Sequence, residues 1–266
     1  MTPKSRFLIA LLLIALVACR PDSIDPTYRF EEGETVTYDL EAEAKASWDI
    51  GGQGEGSYSI SFLVTEAVIS ADEEKATIDV TMSPVSVEED GLPSPGPDDR
   101  TFTMLVGQNG RVREVLRVDG VAADTLDPND LAFIGLYRPP LPTERVRIGD
   151  RWDAAQDLSV GDLTQDGAGT GRLEGLTVRG STPIADLSYE ISGPVRWDTQ
   201  LPQGAAELTG SSTTTAHATL ELDTGHLSEA HAITTSEFQV RVLPRGGQGP
   251  VAGTLRLNLS LALRGI

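Results

Sequence analysis

The sequence predicts an all-β, mostly antiparallel fold: long meander sheets curled into a half-barrel or barrel-like sandwich, with at most one or two short helices. Three observations predict it. Val36, Tyr38, Leu40, Ala42, Ala44, Ala46 and Trp48 are apolar, and every position between them is polar. That period of two places alternate side chains on opposite faces of a strand. The same alternation returns near the C-terminus at Leu255, Leu257, Leu259, Leu261 and Leu263. Between these ends aromatic residues make up only 5% of the chain while Gly, Ser and Thr are frequent, a composition that favours strands and turns over helices.

The chain opens differently. Lys4 and Arg6 precede an unbroken apolar run over residues 7–18, which ends at Cys19. A spanning helix needs roughly 20 apolar residues, so a basic start with a run this short marks an export signal instead. Leu16-Val17-Ala18-Cys19 resembles the bacterial lipobox. The resemblance implies a signal peptide of residues 1–18, cleavage before Cys19, and acylation of that cysteine. Each buried methylene of an acyl chain contributes roughly 0.8 kcal/mol, so several chains together hold a protein stably on a membrane. Arg20 stands where an Asp would retain the protein at the inner membrane, and by resemblance to enterobacterial sorting this implies the outer membrane. Cys19 is the one cysteine in the sequence, which excludes an internal disulfide.

The remaining elements follow in order. Residues 19–27 read as a polar tether. Residues 35–48 form a strand that would run over about 40 Å at about 3.3 Å per residue, a length usual in strongly twisted sheets. After a glycine-rich turn at residues 51–56, Tyr58, Ile60, Phe62 and Val64 alternate with serines, and Ala76, Ile78, Val80 and Met82 continue beyond a second turn. Such runs joined by short turns make a meander. Residues 88–100 hold three prolines and read as an acidic loop outside the ladder. Gln108-Asn109-Gly110 signals a hairpin, since Asn-Gly accepts positive φ. Residues 127–137 are the best helix candidate, with Asp127 as cap and Pro128 in the first turn. Residues 161–171, rich in glycine, read as a flexible loop. Strands are expected at 173–178, 184–191, 195–197, 205–222, 227–242 and 254–263. The expected organisation is a first β-rich half over 28–126, a helix and linking segment over 127–153, and a second β-rich half over 154–266. The hairpin at 101–118 and the one at 217–234 share a pattern of strand, glycine-containing turn and strand, which raises an internal duplication as one reading.

Leu141-Pro142, Val146, Gly149, Asp150 and Trp152 carry a further resemblance, together with Tyr28-Arg29-Phe30, Gly33-Glu34 and Val36-Thr37-Tyr38. They resemble bacterial envelope lipoproteins that join two β-rich halves through a central Leu-Pro…Val-x-x-Gly-Asp-x-Trp segment. That class brings no activity with it. The architecture also resembles curled-sheet carriers of lipids or lipoproteins, an analogy of fold alone. Taken on their own chemistry, Gly149-Asp150 suits a tight turn and Trp152 a plug at one end of a sheet.

No Gly-x-Ser-x-Gly elbow, calcium loop or glycine-rich phosphate loop is present. Glu31-Glu32, Glu73-Glu74, Glu88-Glu89 and Asp98-Asp99 lie near turns, where paired acids are ordinarily solvated surface. His217 and His231 would face each other across two strands if Asp223-Thr224-Gly225 closes the hairpin between them. A slip of one residue would put them on opposite faces. No catalytic residue, cofactor or metal is therefore expected. The net charge of −19 repels nucleic acid and anionic head groups. The expectation is a non-enzymatic, lipid-anchored envelope protein, held to the membrane by acyl chains on Cys19, that binds or carries a hydrophobic ligand. The alternative is an accessory subunit docked on a larger envelope assembly.

Overall fold

A computed structural model describes residues 23–122, 138–160, 163–201, 204–244 and 249–266. Cys19 with its export signal, and the helix expected over 127–137, lie outside the described residues. Within them the chain is all-β, one large antiparallel sheet that curls without closing.

The first meander holds β1 (Thr35–Ile50), β2 (Gln53–Ala71), β3 (Lys75–Glu89), β4 (Leu92–Pro93), β5 (Arg100–Gly107), β6 (Val112–Val118) and β7 (Val121–Ala122). The second holds β8 (Arg151–Asp153), β9 (Gln156–Val160), β10 (Leu163–Arg179), β11 (Thr182–Leu201), β12 (Gly204–Glu221), β13 (Leu227–Pro244) and β14 (Val251–Gly265). The sheet order is β7-β6-β5-β3-β2-β1-β14-β13-β12-β11-β10-β8, with β4 on β3 and β9 on β10. Neighbours are mostly sequential hairpins. β3 pairs β5 and β8 pairs β10 across the short strands β4 and β9, and the long-range pairing is that of β1 with β14, thirteen residues long, from Tyr38↔Gly265 to Ile50↔Gly253. It joins the two alternating runs that predicted the fold class.

The alternation dictates where the core sits. Tyr38, Leu40 and Ala42 of β1 bury the same face as Ile60, Phe62 and Val64 of β2 and Leu261 and Leu263 of β14. One buried cluster continues from Val118 near one edge to Leu173 near the other. A second, smaller cluster of Val195, Leu208, Phe238, Val240 and Val242 lies further along the long strands. Gly193 and Gly210 stand at the boundary between the two clusters. The neighbouring strand crowds them so closely that a Cβ would lie 1.9 Å from Asp166 O and from Glu237 O respectively. Glycine in a strand interior marks such close backbone approach.

The same turn opens both meanders. Gly33 (φ 82°) and Gly149 (φ 91°) each precede an acid, Glu34 and Asp150. The acid's N–H donates three residues back, to Glu31 O and to Arg147 O, both at 2.9 Å. Each glycine N–H then donates to a strand carbonyl, Val68 O in β2 or Leu173 O in β10. The shared geometry adds to the hairpin likeness noted in the sequence.

Three expectations need correction. The segment 88–100 is partly laddered: Asp90-Gly91 turns the chain at positive φ, and Leu92–Pro93 pairs with Glu88 and Glu89. The prolines lie at an edge, where a missing donor does no harm. The glycine-rich stretch from Leu163 to Gly171 is the first half of β10, paired to β11 and β9. Its glycines serve crowding: a Cβ on Gly171 would lie 2.2 Å from the Trp152 ring. The tether ends earlier than residue 27, because Ile24 and Pro26 are buried and Ile24 bridges Val146. The Asn-Gly hairpin forms as expected, with Gly110 at positive φ. The turn closes through Gly110 N–H to Gly107 O and Gly107 N–H to Arg111 O, both 2.9 Å.

Candidate functional site

Two irregular segments, residues 24–30 and 138–146, strap the two edges of the curled sheet together at one end. Tyr28 N–H donates to Gln108 O in the β5–β6 turn at 2.9 Å, and Leu141 N–H donates to Asn109 O. Tyr28 Oη–H donates to Pro139 O at 2.9 Å. On the other side, Arg29 Nη1 donates to Asp223 O in the β12–β13 turn at 2.8 Å. Both turns make room through a glycine. A Cβ on Gly110 would sit 2.3 Å from the Tyr28 ring, and one on Gly225 would sit 2.4 Å from Arg29 N. His226 Nε2 lies 3.3 Å from Glu34 Oε2, linking the second hairpin to the turn that opens β1.

The strap is anchored by a buried charge pair. Glu66 and Arg138 are 4% and 8% exposed, and Arg138 Nε donates to Glu66 Oε1 at 3.2 Å while its Nη2 donates to Oε2. The guanidinium also lies 4.8 Å over the Tyr28 ring and 5.2 Å over Phe30. Removing either partner would leave a buried uncompensated charge. Sequence reasoning missed this pair, although a signal existed: Glu66 stands at an inward phase of β2, between Val64 and Val68. An acid there requires a cation on the concave side. Burial pushes the phenols of Tyr28, Tyr38 and Tyr189 well above their ordinary range, with Arg138 opposing the shift at Tyr28 and Tyr38.

Trp152 closes the strap from the second meander. It donates Nε1–H to Pro140 O at 3.1 Å, meets Tyr189 edge-on at 5.8 Å and lies on Gly171. Asp150 Oδ2 accepts from Arg147 N–H at 2.8 Å. The central motif thus has a structural explanation at each of its chemical residues. Beneath the strap an alanine-lined cavity remains, of about 50 Å³, between Pro139, Tyr189, Ala216, Ala232 and Leu261. The Tyr189 hydroxyl has no partner among the described residues. A space that size holds about a water molecule or two.

The far end of the concave face is open. Trp48 and Tyr58 are 38% and 37% exposed at phases where Leu40 and Ile60 are buried. Ala44, Ala46, Leu255, Leu257 and Leu259 beside them are half-buried. Trp48 lies flat on the backbone of Gly54, where a Cβ would be 2.5 Å from its ring. A cavity of about 840 Å³ lies at this end. It crosses β12, β13, β14, β1 and β2, and its lining mixes Asp49, Glu55 and Glu237 with Trp48, Phe238 and Leu255. Residues of both the polar and the apolar strand phases therefore border it.

His217 and His231 are Cα partners, so the hairpin delivers the register in which they face each other. The loop achieves it with five residues, 222–226, and a bulge beside Thr219/Leu220. Both are exposed. Among the described residues no group of three or more His, Cys, Asp or Glu side chains is placed to hold a metal ion. The four acid pairs, Glu31-Glu32, Glu73-Glu74, Glu88-Glu89 and Asp98-Asp99, are all exposed, as solvated surface should be. No protein-family model and no curated protein matches this chain.

Proposed function

We propose that this chain is a lipid-anchored envelope protein without catalytic activity, tethered at Cys19, that holds a hydrophobic ligand on the open part of its concave face. One observation carries the reading: Trp48 and Tyr58 stand exposed at the phase that is otherwise core, flanked by half-buried leucines and alanines. An apolar face left open after folding marks a surface reserved for something else. The lipobox resemblance implies that this surface lies outside the cytoplasm, beside the acyl chains of a bilayer, and supports an acyl chain or apolar peptide as cargo.

The 50 Å³ cavity under the strap favours the second reading, an accessory subunit. Ligand pockets ordinarily measure roughly 300–1,000 Å³, so this cavity is too small to enclose a carried ligand. In this reading the open row packs on a larger envelope protein. Native mass spectrometry of the full chain extracted from its own membrane separates the two. Bound lipid that is lost in Trp48→Ala and Tyr58→Ala supports the carrier, and a stoichiometric protein partner supports the subunit. A preparation free of both would sink each reading.

A further inference from the structure

We propose that His217 and His231 form a two-imidazole site for a late first-row divalent ion, Cu²⁺ most strongly and Ni²⁺ or Zn²⁺ less so, on the face of the sheet turned away from the core. The site does not depend on the hydrophobic-ligand reading, which rests on Trp48 and Tyr58 at the other end of the sheet. Ala216, Ala218, Ala230 and Ala232 occupy the inward phase of β12 and β13, lining the cavity or packing on the core. The two histidines alternate with them along the strands and are exposed, while also bordering that cavity. They are direct partners in the ladder. Side chains directly opposite have Cβ atoms about 4.5–5.5 Å apart. That spacing lets two imidazoles converge on one ion at metal–nitrogen distances of about 2.0–2.1 Å.

The sheet fixes this geometry. Both strands are interior, with β12 also paired to β11 and β13 also paired to β14, so neither backbone is free to slip. With two protein ligands, water completes the coordination. Such a site selects ions that bind imidazole strongly and follows the rise in affinity to Cu²⁺. Mg²⁺ and Ca²⁺, which require oxygen ligands, are not held. The net charge of −19 raises the local concentration of any cation. His226, the third histidine, is engaged with Glu34 and serves as an internal control.

The test titrates the full chain, purified in detergent without a polyhistidine tag, with Cu²⁺ and then Ni²⁺ by isothermal calorimetry. A buffer near about pH 7.5 keeps proton competition low. One ion per chain is expected. Losing even an outer-shell partner of a metal site weakens binding roughly 10–100-fold, so His217→Gln and His231→Gln should each weaken it by at least about tenfold. His226→Gln should leave it unchanged. Both positions are exposed, so unchanged circular dichroism will show that the variants fold. Copper uptake by the double variant as tight as that of the natural chain would overturn the site, and so would no uptake by the natural chain.

Discussion

Two tryptophans lie flat on glycines in this sheet, Trp152 on Gly171 and Trp48 on Gly54, and their fates differ. Trp152 is roofed by the strap: Pro140 O takes its indole proton and Tyr189 meets its edge. Trp48 has the same floor but 38% of its surface is exposed. One local device, a bare strand backbone under an indole, yields structure where a second layer covers it and an open apolar surface where none does. The difference comes from residues 24–30 and 138–146, which the ladder does not include, and the strap is therefore where the closed end can be broken.

The largest effect is expected at the buried ion pair. Glu66→Leu or Arg138→Met alone strands a charge inside the concave face and should destabilise by about 3–5 kcal/mol. The double variant replaces both groups by apolar ones and should recover most of that loss. Urea denaturation of all three distinguishes the cases. A double variant as unstable as the singles would mean that the pair positions the strap through more than its charge.

Next come the glycines that admit the strap. Gly110→Ala and Gly225→Ala force an L-residue into left-handed backbone, at about 1–2 kcal/mol, and drive a methyl into Tyr28 or Arg29, for about 1–3 kcal/mol more. Gly180 is a matched control: its φ is 67° and nothing lies within 4 Å of where a methyl would stand. Gly180→Ala should show the conformational part alone. Equal midpoints for Gly110→Ala and Gly180→Ala would show that the hairpin tip and the strap do not press together.

The closed end should also be sensitive to alkali. Burial raises the phenols of Tyr28, Tyr38 and Tyr189, whereas in the unfolded chain they ionise near about pH 10. Below that pH both states keep these protons and stability is flat in pH on their account. Above it the unfolded chain releases protons that the fold retains, so stability falls, by up to about 1.4 kcal/mol per pH unit for each phenol. Tyr189→Phe, which removes a hydroxyl with no partner among the described residues, should flatten that fall. Denaturation midpoints between about pH 9 and 11 report it, and an unchanged slope in Tyr189→Phe would mean this phenol reaches solvent.

How much of this was legible in the sequence follows from the physics of each element. Alternation sets faces, so the long strands and their core phase were readable from Val36–Trp48 and Leu255–Leu263, whereas the pairing of β1 with β14 was not. Glycine was misread at 163–171, because composition alone does not separate a glycine that bends the chain from Gly169 and Gly171, which let a neighbour lie close. The strap was invisible in another way. Tyr28 and Arg138 belong to no periodic run, and their partners lie far off in sequence, at Gln108 and Glu66. Only the inward acid Glu66 betrayed it. The histidine pairing was readable as a conditional statement, since register depends on loop and bulge together and the two compensate here.

The smallest expected effect on stability falls at the open end, and there it says most about function. Trp152→Ala removes a roofed indole and should destabilise by about 3 kcal/mol, the low end for a buried tryptophan. Trp48→Ala exposes only Gly54 and half-buried neighbours and should destabilise by about 1 kcal/mol, nearer the range of surface substitutions. If Trp48 forms the floor of a ligand site, the same change should abolish capture of a fluorescent fatty acid while Trp152→Ala, at a temperature where it remains folded, keeps it. A Trp48→Ala protein that is as destabilised as Trp152→Ala would reveal an indole already covered, and the open row would then be core rather than binding surface.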